Sequence, residues 1–481
     1  MLLCYAVLTG WDLPFREIAG PDEPRYAAAA RTMIRGGSLI VPEFNGKTRL
    51  AKPILFYWML AAAGWLGQSV GLDLTVALHL VPLAMGALAV LGTFVLAQRL
   101  YGHMTGCIAA GLLMTSLEFQ RVARELVIDM TLTACIVWAW VFFLCALNRI
   151  ERGAPARVPL LAFFTILGFA SLAKGPFLVA LFAVIPMLYF LRTTGRLSAL
   201  RRCGLAWGIP WSLGLGLSWY AVVFLQGHDG LAFFVRENLQ RLIGQADHRR
   251  PVPFLFYLEV IWENFAPASL LIPYAVVYWW RSPEDPDRPH RSLLGSAFLI
   301  PVVILSLAIS KRSLYLLPLY PFLAIGLARA SQQGLATMRV NAVKLLSATG
   351  AFAAVACTVV TAHGTGFLRE RGTRAAFFDA IRNSVGDRTL VMFGESANEA
   401  VWYLDGSPHV ERLAHTQIRS AFLDQPGVVL LVSEKVLARE PALRKSLSVI
   451  LTRQLRGKTW TLATSAVSNG ITPSPQSIPI E

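Results

Sequence analysis

Apolar stretches follow one another along most of the chain, and the polar segments between them alternate in kind. Short arginine-bearing turns form one set; loops mixing acids, bases, His and aromatic residues form the other. Stretches near 74–97, 104–118, 127–147, 158–173, 176–191, 203–225, 255–279, 292–309, 314–328 and 344–360 are long enough, or nearly so, to cross a bilayer. About 30 Å of hydrocarbon takes roughly 20 helical residues. The pattern predicts an all-α polytopic membrane domain over residues 1–360. The opening segment, Met1–Gly10, is too short to span and has neither the basic start nor the small-residue cleavage site of a signal peptide. It predicts either a shallow first helix or a start upstream. The apolar segment 54–70 follows Lys52-Pro53 closely and is expected to lie along the interface or re-enter it.

If 74–97 runs inward, the inner loops carry Arg99; Arg149, Arg152 and Arg157; Arg192, Arg196, Arg201 and Arg202; Arg281, Arg288 and Arg291; and Arg329, Arg339 and Lys344. Short loops with such a basic excess follow the positive-inside pattern. The outer segments are then 12–53, 119–126, the Lys174-Gly175-Pro176 turn, 226–253, the Ser310–Arg312 turn and everything after about 361. This parity puts the 22–25 cluster, Lys52, Asp129, Lys174 and Lys311-Arg312 on one face, although none of them was used to set it.

Composition agrees with the pattern. Of 481 residues, 55% are hydrophobic and only 15% charged, against about 25% charged in soluble domains. The net charge of +15 is spread among short loops, which argues against a nucleic-acid partner. The six cysteines lie almost entirely in apolar stretches without CxxC spacing and read as small buried hydrophobes. Residues 361–481 gain ordinary polarity and carry β-branched runs such as Arg388–Phe393 and Val428–Val432, with helix-like stretches between them. They predict a small α/β domain outside the membrane, ending in a flexible Ser/Pro/Ile-rich tail over Ser468–Glu481. Neither GxGxxG nor GxxxxGK[ST] accompanies these strands, so nucleotide binding has no support.

The first outer segment carries the densest chemistry. In Ala19-Gly-Pro-Asp22-Glu23-Pro-Arg25-Tyr26, the acids precede an alanine-rich helical stretch, where helix capping alone would account for Asp22. Arg25, Tyr26, Lys52 and Tyr57 in the same segment favour a second reading, in which a carboxylate among cations stays ionised and acts as a base. Asp129 stands at the outer start of its span. A carboxylate near hydrocarbon is functional by default; pairing with Arg124 or snorkelling is the structural alternative. Glu125, one turn earlier, is placed to share its face. Lys174 is either part of the site or an interface anchor. Lys311, Arg312 and Tyr315 form a phosphate-holding pattern, the Arg fork suiting phosphate oxygens. The 226–253 loop holds His228, Asp229, Glu237, Asp247 and His248, too scattered for a metal site on their own.

Together, Asp22-Glu-Pro-Arg25-Tyr26-Ala, Lys52-Pro53, Ala123-Arg-Glu…Asp129, Leu172-Ala-Lys-Gly-Pro176, Glu237-Asn-Leu-Gln-Arg241 and Ser310-Lys-Arg…Tyr315-Leu-Leu-Pro-Leu-Tyr-Pro321 resemble the aminoarabinose transferases of lipid A and their relatives in the protein-mannosyltransferase superfamily. The resemblance covers about residues 11–330 and, more loosely, the domain behind them. It implies the GT-C membrane fold and transfer of a sugar from a polyprenyl phosphate to an acceptor on the periplasmic side of a bacterial inner membrane. It makes Asp22 the catalytic carboxylate and Asp129 the second essential acid, and gives Lys52 the lipid phosphate. Arg25, Lys311, Arg312 and Tyr315 join Lys52 as donor-phosphate candidates, and Glu23, Tyr26, Tyr57 and Lys174 as substrate-binding candidates. His248 falls at a metal-binding histidine of those transferases. Ala51 stands where they have a glutamate, so a divalent metal loses its expected second ligand and is in doubt here.

This chemistry agrees with the residues. Transfer from a lipid-linked phosphate needs an acceptor hydroxyl relieved of its proton and positive charge on the departing phosphate. The expected partners are a polyprenyl-phosphate sugar and a lipid or glycan acceptor, with lipid A, another lipid, a polysaccharide and a protein Ser/Thr all open. A monomer is expected. The alternatives are a transporter or flippase of the same lipid-linked sugar, or a protein O-mannosyltransferase.

Overall fold

The computed structural model describes residues 1–229, 252–281, 288–309, 311–337, 373–393, 396–406, 409–413, 428–455 and 457–465. The expected span at 344–360, Ser310, the tail from Ser468, the boundary near residue 360 and most of the 226–253 loop, His248 included, lie outside the described residues. Seven described helices are long and apolar enough to cross a bilayer: Leu74–Tyr101, Asp129–Glu151, Arg157–Lys174, Pro176–Thr193, Leu205–Leu225, Arg288–Leu307 and Ser313–Gly334. Their interior is apolar and aromatic. Trp140 is fully buried and packs edge-on against Phe143, Phe190 and Phe322.

Two expected spans differ. The stretch 255–279 is not one helix but Phe256–Asn264 and Ala268–Arg281, bent by 113°. Pro267 has no N–H to continue the first helix, and the Ala266 carbonyl at the corner accepts the Leu117 N–H at 3.1 Å. The stretch 104–118 gives only the 12-residue helix His103–Met114, about 18 Å long. It stops where the Thr115 and Ser116 hydroxyls donate back to the Gly111 and Leu113 carbonyls, and Leu117–Val122 starts a new helix. Hydropathy is blind to both breaks, because the few polar residues at them are outweighed by the apolar stretches on either side. The opening helix, Leu2–Gly10, packs along Leu74–Tyr101, with the Tyr5 hydroxyl on the Leu83 carbonyl at 3.0 Å.

The helices sort the charges to two ends. Asp129–Glu151 and Arg157–Lys174 are antiparallel neighbours, so the start of the first and the end of the second meet. At the opposite end, Tyr101 packs edge-on against His290 and under Arg329, the Thr193 and Ser292 hydroxyls share a hydrogen bond, and Arg196 pairs with Glu151 at 3.1 Å. That end holds the arginine-rich turns.

The C-terminal domain is a five-stranded mixed sheet. Naming the Glu43–Phe44 and Lys47–Thr48 hairpin β1 and β2, its strands are β3 Thr389–Phe393, β4 Val410–Leu413, β5 Val428–Ser433, β6 Leu447–Leu455 and β7 Lys458–Ser465, in the order β4-β3-β5-β7-β6. β3 runs parallel to β4 and β5, and β7 antiparallel to β5 and β6. β5 is buried almost throughout, as a central strand covered on both faces must be. Helix Ser396–Leu404 docks this domain on Glu23–Ile34. Arg31 lies over the Trp402 ring at 4.4 Å and donates to the Trp402 carbonyl at 2.8 Å, while Arg35 makes a two-pronged pair with Asp405 at 2.8 Å.

Candidate functional site

One pocket, of about 210 Å³, opens at the end where Asp129–Glu151 begins and Arg157–Lys174 ends. Its lining brings together Asp22, Arg25, Tyr26, Arg49, Ala51, Lys52, Asp129, Lys174, Arg312 and Tyr315, with Val127, Ile128 and Leu314 as apolar wall. These residues come from segments spread over about two thirds of the chain. Five basic side chains face two carboxylates.

Helix ends place the second carboxylate and its partner. A carboxylate is favoured at a helix N-terminus and an ammonium at a C-terminus; Asp129 and Lys174 occupy those positions on adjacent antiparallel helices and form a direct ion pair. Gly175, at φ 96° and ψ 154°, ends the lysine's helix in a conformation that a side chain resists, and Pro176 starts the next. Lys174 also sits 4.8 Å from the centre of the Tyr315 ring. The expected alternative partner of Asp129, Arg124, is engaged elsewhere: it donates to the Thr9 carbonyl at 3.0 Å and to that of Leu8 at 2.5 Å. Glu125 does not share the face of Asp129; both its oxygens take the Arg121 guanidinium at 2.8 Å.

Asp22 occupies the N-cap position of Glu23–Ile34, yet its side chain makes no capping hydrogen bond. Capping therefore does not account for it. Its carboxylate lies 3.3 Å from Arg25 and is 30% exposed to the pocket, which leaves an oxygen accessible to a bound molecule. Glu23 turns the other way. It is buried, accepts the Ala19 and Leu126 N–H groups at 2.8 and 2.9 Å, and faces His79 Nε2 at 3.6 Å. Burial opposes ionisation of Glu23, but His79 and the two amides outweigh it and hold the carboxyl below its ordinary range. Glu23 thus staples the segment carrying Asp22 to the one leading into Asp129, outside the pocket itself.

The β1–β2 hairpin delivers the next cations. Asn45 and Gly46 both have positive φ, 55° and 69°, as a two-residue hairpin turn requires. The returning strand then brings Arg49, Ala51 and Lys52 to the pocket. Arg49 was not among the sequence candidates; the Asn-Gly turn three residues before it was the available signal. Tyr26 lines the pocket, and burial lifts its hydroxyl well above the ordinary range, so it enters as a neutral group. Tyr57 is fully buried, its ring 5.3 Å from that of Tyr26, and does not reach the lining.

Lys311 and Arg312 part company. Arg312 has extended backbone, φ −135° and ψ 136°, and lines the pocket, whereas Lys311 is buried with its ammonium on the Val252 and Ala308 carbonyls at 2.9 and 2.8 Å. Of the sequence candidates, the pocket therefore unites Asp22, Arg25, Tyr26, Lys52, Asp129, Lys174, Arg312 and Tyr315. Glu23, Tyr57 and Lys311 stand behind it.

Among the described residues, which leave out His248, the pocket's donor set does not fit a divalent metal. Ala51 offers a methyl group to the pocket, both carboxylates are paired with cations, and among the described residues three or more His, Cys, Asp or Glu side chains never converge.

The chain matches the model of the dolichyl-phosphate-mannose-protein mannosyltransferase family over residues 51–210. It is 26% identical over 306 residues to an undecaprenyl phosphate-alpha-4-amino-4-deoxy-L-arabinose arabinosyl transferase of Pseudomonas fluorescens, covering 62% of this chain and 51% of that one. It is 30% identical over 338 residues to the transferase of the same name from Pseudomonas savastanoi pv. phaseolicola, covering 68% and 60%. The chain thus spans little more than half the length of these relatives. Among solved structures it is similar to ArnT from Cupriavidus metallidurans bound to undecaprenyl phosphate, with a TM-score of 0.72 at 18% identity over 99% of this chain and 98% of that one. The archaeal oligosaccharyltransferase AglB from Archaeoglobus fulgidus gives 0.59 at 14%, over 98% and 74%. The fold is the GT-C fold, the chain is a multi-pass membrane protein, and the resemblance to the aminoarabinose transferases read from its motifs is the one these comparisons find.

Proposed function

We propose that the chain is a glycosyltransferase of the bacterial inner membrane that moves a sugar from undecaprenyl phosphate, or a related polyprenyl phosphate, to a lipid or glycan acceptor at the periplasmic face. The observation that carries this reading is the pocket's charge: five basic side chains around two carboxylates, at the mouth of a helix bundle, suit a lipid-linked phosphate. The likeness to arabinosyl transferases and to a structure bound to undecaprenyl phosphate supports the same donor. The arginine-rich turns at the far end support a cytoplasmic far end and a periplasmic pocket. On this reading residues 361–481 form a periplasmic domain.

The acceptor hydroxyl gives its proton to the accessible Asp22 carboxylate as its oxygen bonds to the anomeric carbon. The bond from that carbon to the phosphate oxygen breaks, its electron pair leaving with the phosphate. Arg25, Arg49, Lys52 and Arg312 neutralise the charge that develops there, as cations already placed around the site before the reaction. Lys174 holds the Asp129 carboxylate in place beside the reacting centre through their ion pair. A general base of this kind contributes about 10²–10⁴ in rate, and a single displacement inverts the anomeric centre.

The test is turnover of a panel of labelled undecaprenyl-phosphate sugars by membranes bearing the chain, with products identified by mass. Asp22→Asn abolishes transfer and leaves abundance unchanged. Movement of intact labelled lipid between leaflets, with its glycosyl phosphate bond preserved, would assign the chain to the transporters instead.

A further inference from the structure

The five residues leading into Asp22 are all held from outside their own segment or from one turn ahead, and four of the five by the C-terminal domain. The Glu17 carboxylate takes Arg374 Nη1 at 2.8 Å, and the Ile18 carbonyl takes the Tyr403 hydroxyl at 3.0 Å. The Ala19 N–H donates to Glu23 at 2.8 Å. The Gly20 N–H donates to Glu399 Oε1 at 2.8 Å, and the Pro21 carbonyl takes Asn398 Nδ2 at 3.0 Å. The next residue is Asp22. Asn398 is 1% exposed and Arg374 4%, so water does not stand in for these partners.

This arrangement is costly unless it does something. Asn398 and Glu399 are polar groups taken out of solvent by a helix, Ser396–Leu404, whose other contacts with Glu23–Ile34 would already dock the domain: the Arg31–Trp402 stack and the Arg35–Asp405 pair lie further along, away from the pocket. The grip at residues 17–21 adds something different. It fixes the path of the backbone immediately before the carboxylate, whose own side chain pairs with Arg25.

We propose that the C-terminal domain is a positioning element of the pocket, in which Asn398, Glu399, Tyr403 and Arg374 hold residues 17–21 and thereby aim the Asp22 carboxylate. This rests on the functional reading above, in which Asp22 is the base. Misplacement by an ångström of a group that must meet a reacting atom costs about 10²-fold in rate, so the effect falls on kcat. Of the cations on the donor phosphate, Arg49, Lys52 and Arg312 come from other segments and only Arg25 from the helix beyond Asp22, so KM moves much less than kcat.

Hydrogen exchange and turnover on the full chain in lipid nanodiscs test it together. Loss of one acceptor should speed exchange at Gly20 by roughly tenfold or more. Glu399→Ala and Asn398→Ala are therefore expected to raise exchange across residues 17–22. With an undecaprenyl-phosphate sugar that the parent chain turns over, both lower kcat by about 10²-fold with KM nearly unchanged. Glu399→Gln keeps an oxygen for the Gly20 N–H and stays near the parent in both measurements. Burial lifts the Glu399 carboxyl above its ordinary range, against the opposing pull of the Gly20 N–H and Arg374. Asp379→Ala, on the exposed side of Thr373–Val385, serves as the control for general loosening of the domain.

Unchanged exchange at residues 17–22 in both alanine variants overturns the grip. Faster exchange with unaltered kcat overturns its role in aiming Asp22. A parent chain that turns over no donor removes the functional reading instead, and exchange at residues 17–22 still decides whether the domain holds the segment.

Discussion

Lys174 and Asp129 close on each other at the floor of the pocket, each side chain only 7% exposed. Taking away one partner of a buried ion pair leaves the other charge unpaired and costs about 3–5 kcal/mol, whereas replacing both by apolar residues of similar size is often close to neutral. Lys174→Met is accordingly expected to lower thermal stability in detergent by far more than Lys174→Met combined with Asp129→Leu. Equal losses in the single and double variants would show that packing, not the pair, holds the two helix ends.

Adjacent Lys311 and Arg312 should behave as different kinds of residue. In titrations with undecaprenyl phosphate, Arg312→Ala and Lys52→Ala each remove a charged donor worth about 1.5–3 kcal/mol, a loss of roughly ten- to hundredfold in affinity. Lys311→Ala leaves the Val252 and Ala308 carbonyls without their donor, so it lowers the unfolding temperature while affinity stays near that of the parent. A weakened affinity in Lys311→Ala with stability intact would place its ammonium in the pocket after all.

Gly175 separates the lysine's helix from Pro176 in a backbone region that only glycine occupies comfortably. Gly175→Ala is expected to destabilise the chain by about 1–3 kcal/mol, although the added methyl group changes no charge. Thermal unfolding beside a helix-interior control such as Gly111→Ala, where a Cβ meets open space, separates backbone strain from crowding.

Acid should loosen the docking of the C-terminal domain. Burial raises the Asp405 carboxyl, but the Arg35 fork and the Arg31 charge outweigh it and hold the group below its ordinary range. A carboxyl depressed in the folded state stabilises it fully above the unfolded value and ceases to do so as pH falls through the folded one. The contribution is therefore lost as pH falls below the ordinary aspartate range toward the lowered folded value. Hydrogen exchange at residues 396–405 should accelerate over that window in the parent chain and respond less in Asp405→Asn, which has already lost the charge.

Sequence made one part of this site legible and hid another. Helix parity alone put Asp22, Lys52, Asp129, Lys174 and Arg312 on one face, because each span reverses the chain and the loops alternate. The pairing of Asp129 with Lys174 was hidden, since it depends on which helices become neighbours; Arg124 was nearer in sequence and went to the carbonyls of the opening helix. Lys311 and Arg312 could not be told apart by type or position. In extended backbone, successive side chains point opposite ways, and only the register of that strand-like turn decides which one faces the phosphate site. Glu23 was drawn into the candidate set by its neighbour and serves a different purpose, tying two loops together through their amides. In the fold, the long spans followed hydropathy closely. The breaks at Asn264–Pro267 and Thr115–Ser116 did not, because a proline that cannot continue its helix makes the first and hydroxyls that bond back to their own helix make the second.

The bond from Asn398 to the Pro21 carbonyl joins residues 377 positions apart. A ribosome adding about 5–20 residues per second needs roughly 20–75 s to cover that interval, and throughout it the segment before Asp22 is already at the membrane without its clasp. Once Arg312 has been made and until Asn398 follows, the nascent chain has all its basic pocket residues but its base unaimed. Premature release would then yield a protein able to capture lipid phosphate and slow to act on it, so truncated copies would compete with complete ones for donor.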